Sequence, residues 1–395
     1  MNYSFDQIID RNHTHCYKTD TKSYYDIPSD AVSLWVADMD FPVAPCIQDA
    51  LQNRMSHPIY GYTFTPDSYY DAVIHWMKSR HNWDVKKDWI IPAPNILSSI
   101  NLILSTFLNK GDKVLIQKPV YNPFEAAILN NGCVVVNNAL LEKDGYYTID
   151  FEDFERQVKD PAVKAFILCN PHNPVGRVWT KEELTLLGKL CIKYNVLIIA
   201  DEIHHDLIYT GITHTSMGSL SEDISDKLVV CTSPTKTFNL SGIGSANIII
   251  PNASLREGFT AALHGLSLHN LSPLAITSLI AAYTEGDAWV DALVAYLEEN
   301  KNYIIDFIQS ELPMLKVSPC EGTYLLWIDM GALSLTQDEL MNFLAYKAKI
   351  WVNSGTTYDN NCEGFIRINF ATPRANLERA LQGLKKAILK ENFNA

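Results

Sequence analysis

The sequence predicts an α/β protein: a large domain with a mainly parallel sheet flanked by helices, joined to a smaller α+β domain. Short apolar, β-branched runs recur through the middle of the chain at Lys113-Val-Leu-Ile-Gln117, Cys133-Val-Val-Val136, Val163-Lys-Ala-Phe-Ile-Leu-Cys169, Val196-Leu-Ile-Ile-Ala200 and Leu228-Val-Val-Cys231. Helical patterns, such as residues 181–194, lie between most of them, and strands alternating with helices build a parallel sheet. From about residue 287 the rhythm changes to long helices and a few strands. At 395 residues and 47% hydrophobic, the chain can fill two cores. Residues 46–286 are assigned to the large, cofactor-binding domain, and 1–45 with 287–395 to the small one.

Residues 1–45 read as irregular, and Trp35-Val-Ala-Asp38-Met-Asp40-Phe-Pro as a strand end turning into a loop. Pro45 starts an amphipathic helix to about Arg54, because proline suits a first helical turn. Tyr60-Gly-Tyr62-Thr is a glycine-broken aromatic turn, which composition alone would assign to local packing. Residues 67–80 are helical. Trp89-Ile-Ile-Pro-Ala-Pro94-Asn95 is a strand and turn, and Ile96-Leu97-Ser98-Ser99 opens an apolar helix to about Leu108. A strand, a turn and a helix N-terminus leave free amides for an anion, with Asn95 able to adopt a left-handed backbone; an ordinary capped helix is the alternative. Beyond 287 come a helix to about Ser310, strands at Leu315-Lys-Val317, Tyr324-Leu-Leu-Trp-Ile328 and Phe365-Ile-Arg367-Ile-Asn-Phe370, a helix near 337–348, and a final amphipathic helix capped by Thr372-Pro373.

The net charge of −13 argues against nucleic acid as a partner. No apolar run is long enough to span a bilayer, and Met1-Asn-Tyr-Ser-Phe-Asp6 lacks the basic and apolar regions of a signal peptide. The eight cysteines are scattered without a Cys-x-x-Cys pair, which suits a reduced cytoplasm better than disulfides or zinc. His13 and His15 lack further ligands at metal spacing, and Asp201-Glu-Ile-His204-His205-Asp206 lacks the spacing of zinc metallopeptidases, so no metal is assigned.

In open parallel sheets, ligands sit beyond the carboxyl ends of the strands. Four strand ends deliver Tyr121, Asn173, Asp201 and the pair Ser233 and Lys236. A lone lysine past a strand is ordinarily a solvated loop residue; with this company it is an amine of lowered pKa able to form a Schiff base. A ring, an amide, a carboxylate, a hydroxyl and an amine together suit pyridoxal 5′-phosphate. Lys236 would hold the cofactor and later act as base. Asp201 would pair with the pyridine nitrogen, Asn173 would donate to the phenolate oxygen, and catalytic Tyr121 would lie against the ring. Ile96, Leu97 and Ser233 would hold the phosphate. His204 belongs near the cofactor's oxygen side or is packed. Arg367, a charge within an alternating strand, is either an outward edge residue or a clamp for a substrate carboxylate, and an amino-acid cofactor favours the clamp.

These residues resemble the fold-type I pyridoxal-phosphate enzymes, and within them the MalY/PatB-type C–S lyases, the cystathionine β-lyase branch of the class-II aminotransferase-like group. The resemblance rests on Phe5-Asp6, Ile9-Asp10-Arg11, Ala37-Asp38-Met39-Asp40-Phe41, Gly61-Tyr62-Thr63, Asn170-Pro-His-Asn173-Pro-Val-Gly176, Asp201-Glu-Ile-His204, Ser233-Pro-Thr-Lys236-Thr-Phe-Asn and Phe365-Ile-Arg367-Ile-Asn. It implies a homodimer in which Tyr62 reaches the phosphate of the neighbouring subunit. It also places Asp38 and Tyr324 near the substrate. Gly244 stands where typical aminotransferases carry an arginine, which the lyase branch also lacks, and His204 stands where aminotransferases tend to carry tyrosine. The phosphate turn has Asn95 in place of the usual glycine. The implied activity is β-elimination from L-cystathionine or other cysteine S-conjugates. An aminotransferase, or a cofactor-bearing regulator that binds a transcription factor, are the alternatives.

Overall fold

Each apolar run in the middle of the chain sends its side chains alternately to two faces of one sheet, and both faces are covered. In the computed structural model, which describes residues 3–391 and Phe393, Phe166, Leu168, Ile198, Ala200 and Val230 face one core. Ala165, Ile167, Cys169, Ile199, Val229 and Cys231 face the other. Two-sided burial explains why these strands read as continuous hydrophobic runs. Each such large side chain contributes roughly 1.5–3 kcal/mol relative to exposure. Met1 and Asn2, the start of the N-terminal stretch read above, lie outside the described residues.

The sheet has seven strands in the order Ile90–Ala93, Ala246–Ile249, Leu228–Thr232, Leu197–Asp201, Val163–Cys169, Lys113–Ile116 and Val134–Asn137. The five expected runs pair in parallel. Ala246–Ile249, which the strand–helix rhythm did not reveal, pairs antiparallel to both neighbours. Chain order reverses between Lys113–Ile116 and Val163–Cys169. The helix Ile96–Phe107 packs on one face through Ile96, Ile100, Ile103 and Leu104. Helices Asp67–His81 and Pro273–Glu285 cover the other through Trp76, Met77 and Leu279.

A second, four-stranded antiparallel sheet runs Lys316–Val317, Leu325–Asp329, Phe365–Asn369, Asn353–Ser354. The helices Asp287–Glu311 and Arg374–Lys390 pack beside it. The expected helix near 337–348 is an α-helix, Gln337–Asn342, continued by a wider π-helical turn, Phe343–Ala348. Thr372 does not cap the last helix: Pro373 holds the capping position without a side-chain bond, and the Thr372 hydroxyl accepts from Asn376 Nδ2 at 2.9 Å. All eight cysteines are unpaired. No described helix is long and apolar enough to cross a membrane.

Candidate active site

Four strands of the large sheet end at one cavity of about 560 Å³. Tyr121 follows Lys113–Ile116, and Asn173 follows Val163–Cys169. Asp201 ends its own strand, with His204 just beyond, and Ser233 and Lys236 follow Leu228–Thr232. These strands straddle the point where chain order reverses, the position at which open α/β sheets hold ligands. Arg367 enters the same cavity from the four-stranded sheet.

Lys236 sits in the short helix Pro234–Thr237. Ser233 caps it, accepting from Thr235 N at 3.1 Å and donating its hydroxyl to Ser245 O at 2.6 Å. The lysine Nζ donates to Ala37 O at 2.5 Å. Burial, with Arg367 adding to it, pulls the ammonium down to about 8 against the opposing pull of Asp38 and Asp201. This is an amine that can be neutral near physiological pH.

Asp201 lies in register between Cys169 and Cys231 and is buried. Its Oδ1 accepts from Ile203 N at 3.1 Å. Burial pushes its carboxyl up to about 7, while the Ile203 amide, Lys236 and His205 pull it back. A buried carboxyl so poorly compensated lacks a cation, and a protonated ring nitrogen in the cavity would supply one. Tyr121 stays a neutral phenol, raised by burial and by Asp201. His204 is buried with Nδ1 unpartnered, and burial, Lys236 and Arg367 hold its ring neutral.

Arg367 donates from Nη1 to Asn173 Oδ1 at 3.1 Å, and from Nη2 to Trp35 O at 2.7 Å and Asn353 Oδ1 at 2.9 Å. Its guanidinium lies 5.2 Å from the Tyr358 ring centroid, and its buried Nε has no protein partner. The edge-residue alternative is therefore excluded. Asn173 gives its oxygen to Arg367, which leaves its amide nitrogen as a donor.

At the other end lies the N-terminus of Ile96–Phe107. Asn95 accepts from Ser98 N at 2.8 Å through its side chain, so the amides of Ile96 and Leu97 remain open. Asn95 is extended, with φ −164°, and not left-handed as expected, because it serves as the helix cap. Gly244 faces this turn at φ +69°, where a Cβ would stand 3.2 Å from Pro94 O. A glycine is what that backbone accommodates, which explains the missing arginine. The cavity thus offers an amine, a carboxyl in want of a cation, an aromatic wall and an open helix N-terminus, and these fit pyridoxal 5′-phosphate.

Three expected residues are not brought into the cavity. Asp38 pairs with Arg11 Nη2 at 2.5 Å and Lys18 Nζ at 3.4 Å, so its carboxylate is committed behind the wall and does not face a substrate. Tyr324 is fully buried; its hydroxyl donates to Ala37 O at 2.9 Å, and its ring meets that of His204 edge-on at 5.7 Å. Both support the wall instead of lining it. Tyr62 is fully exposed and does not line this chain's cavity; local packing holds Tyr60, whose hydroxyl donates to Met55 O at 2.9 Å, but not Tyr62.

Trp35, Asn353, Thr357 and Tyr358 line the far wall and were not singled out from sequence. Trp35 lay within a run quoted for other residues, and Tyr358 sits in a loop without periodicity. The Asp201–Asp206 segment does bring His205 and Asp206 close to His81, with ligand atoms within 4.8 Å of one another. The two rings stack at 4.0 Å and 13°, so their nitrogen lone pairs run nearly side by side, and Asp206 is already bonded to several donors. The group is joined by hydrogen bonds centred on Asp206.

Residues 29–384 match the family described as Aminotransferase class I and II. The chain is 40% identical to cystathionine beta-lyase PatB of Bacillus subtilis over 98% of this chain and 100% of that protein. It is 32% identical to protein MalY of Escherichia coli, covering 98% and 99% of the two chains. Its fold superposes on the crystal structure of cystalysin from Treponema denticola, which contains a pyridoxal 5′-phosphate cofactor, with a TM-score of 0.96 and 36% identity over 99% of this chain and 100% of that one.

Proposed function

The chain belongs to the aminotransferase class I and II family, and from that premise we propose that it is a pyridoxal-phosphate-dependent C–S β-lyase. It cleaves L-cystathionine or related cysteine S-conjugates to a thiol, pyruvate and ammonia. The observation that carries this reading is the convergence of Lys236, Asp201 and Arg367 on one cavity. Likeness to PatB, MalY and cystalysin supports the lyase branch.

The cofactor, when bound, supplies an electron sink for the carbanion formed at the substrate Cα. Arg367 binds the substrate α-carboxylate through its guanidinium fork. Lys236 would hold the cofactor covalently and, as a neutral amine, would take the substrate Cα proton. Asp201 would keep the ring nitrogen protonated. Tyr121 would lie against the ring, Asn173 would donate to its oxygen, and His204 would pack nearby as a neutral group. The open amides of Ile96 and Leu97 would hold the phosphate, joined by the Ser233 hydroxyl once it turns from Ser245 O. The C–S bond breaks, the thiolate leaves, and water converts the remaining three-carbon fragment to pyruvate and ammonia.

The cavity opens between the two sheets, which supports the division into a large domain at 46–286 and a small one of 1–45 with 287–395. Met55, Ile59, Tyr60, Tyr62 and Phe64 form an exposed apolar stretch, and such stretches mark interfaces. This supports a homodimer in which Tyr62 reaches the partner's cofactor phosphate. Transamination shares every step to the carbanion, and the family description keeps it as the second reading. Incubation of the purified protein with L-cystathionine, following thiol and pyruvate, tests the proposal.

A further inference from the structure

Beside the cavity, one buried carboxylate collects donors from two other segments of the chain. Asp206 Oδ1 accepts from Trp76 Nε1 at 3.0 Å and lies 2.9 Å from His81 Nε2, both on the helix Asp67–His81. Its Oδ2 accepts from Thr237 Oγ1 at 2.6 Å and lies 3.4 Å from His205 Nε2. Thr237 is the residue after Lys236. Asp206 closes the segment that starts at Asp201 and contains His204. The carboxylate therefore ties the lysine turn, the end of the Asp201 strand and a helix of the large domain to one point.

Burial alone would raise the Asp206 carboxyl, but His205 and His81 outweigh it and hold it well below the usual carboxylate range. A buried charge of this kind is weak evidence for stability, since well-packed apolar residues hold a core as well or better. What it does supply is direction: each charge-assisted bond fixes a donor in angle as well as distance. The Lys236 amine has Ala37 O as its hydrogen-bond partner. Its reach into the cavity is therefore set mainly by its own backbone, which Ser233 holds on one side and Thr237 on the other.

We propose that Asp206 is a positioning residue of the reaction, which acts through Thr237 to fix the lysine turn against the Asp201 segment. It touches neither substrate nor cofactor. The inference rests on the reading that Lys236 carries the cofactor, and borohydride trapping with K236A tests that reading separately.

Asp206→Ala would strand buried donors and endanger folding, so the test uses holoenzyme of T237V and T237S. T237V keeps the shape and removes the hydroxyl; T237S keeps the hydroxyl. T237V is expected to lower kcat about tenfold, the scale of one charge-assisted hydrogen bond, with KM within about twofold. It is also expected to diminish the visible circular dichroism of the bound cofactor, which reports its orientation. T237S is expected to restore both. Parental kcat and dichroism in T237V overturn the proposal, as does a T237V defect that T237S does not restore.

Discussion

Arg367 and Asn173 stand 194 residues apart in sequence, yet the arginine Nη1 donates to the asparagine Oδ1 at 3.1 Å. The bond joins the four-stranded sheet to a strand end of the seven-stranded one across the cavity. Truncation of Arg367 to alanine is expected to cost about 2–5 kcal/mol in catalytic efficiency toward amino-acid substrates, the range for breaking a desolvated charged pair. Because Asn173 loses its partner too, a modest change in cofactor affinity is expected beside it. Steady-state kinetics on cysteine conjugates check this, and unchanged efficiency would remove Arg367 from the substrate site.

Lys236→Ala is expected to abolish the borohydride-trappable bond between cofactor and chain. The motive is the buried amine held near 8 by burial and Arg367. Mass spectrometry of the reduced protein gives the answer, and a trapped adduct in the variant would assign the bond to another lysine.

Asp201 gives a pH signature. In the cofactor-free protein its carboxyl is raised by burial to about 7, against about 3.9 for an unperturbed aspartate. Between those values the folded state binds more protons than the unfolded one. The group's contribution to stability is present below pH ~4 and is lost as pH rises through ~7. Cofactor-free parent is expected to lose thermal stability relative to D201N between about pH 4 and 7. Glu202 is also raised to about 7, by burial with Asp201 adding to it, so the comparison is made in an E202Q background. Parallel melting curves would contradict this.

Much of the site was legible because it obeys strand-end logic. Each two-sided strand announces itself as an apolar run, and the residue after it falls at the cavity, which found Tyr121, Asn173, Asp201, Ser233 and Lys236. Arg367 was found because a charge in a strand is expensive. Asp38 and Tyr324 were misplaced because a motif does not tell which way a side chain turns: Arg11 and Lys18 draw the carboxylate away, and the Ala37 carbonyl takes the phenol. The strand Ala246–Ile249 was missed because it follows a glycine-rich turn and pairs antiparallel. Asp206 was weighed only as a metal ligand because its partners, Trp76 and Thr237, come from distant stretches of the chain.

Tyr62 tests the assembly. It is fully exposed in one chain, so any role at a phosphate must be played in a second copy. K236A and Y62A homodimers are each expected to be impaired. Mixing and re-equilibrating them is expected to recover activity, since one site of each hybrid then combines an intact lysine with an intact tyrosine. Absence of recovery in demonstrated hybrids would place Tyr62 outside the site.

The central claim is that this chain eliminates a thiol and does not transfer an amino group. Both reactions use the same lysine, carboxylate and arginine, so residue substitutions do not separate them. The direct measurement is the product set from L-cystathionine with and without 2-oxoglutarate. The expected result is homocysteine, pyruvate and ammonia in equal amounts, at a rate that the keto acid does not change. Product formation that requires 2-oxoglutarate, with glutamate accumulating in step, would contradict the account.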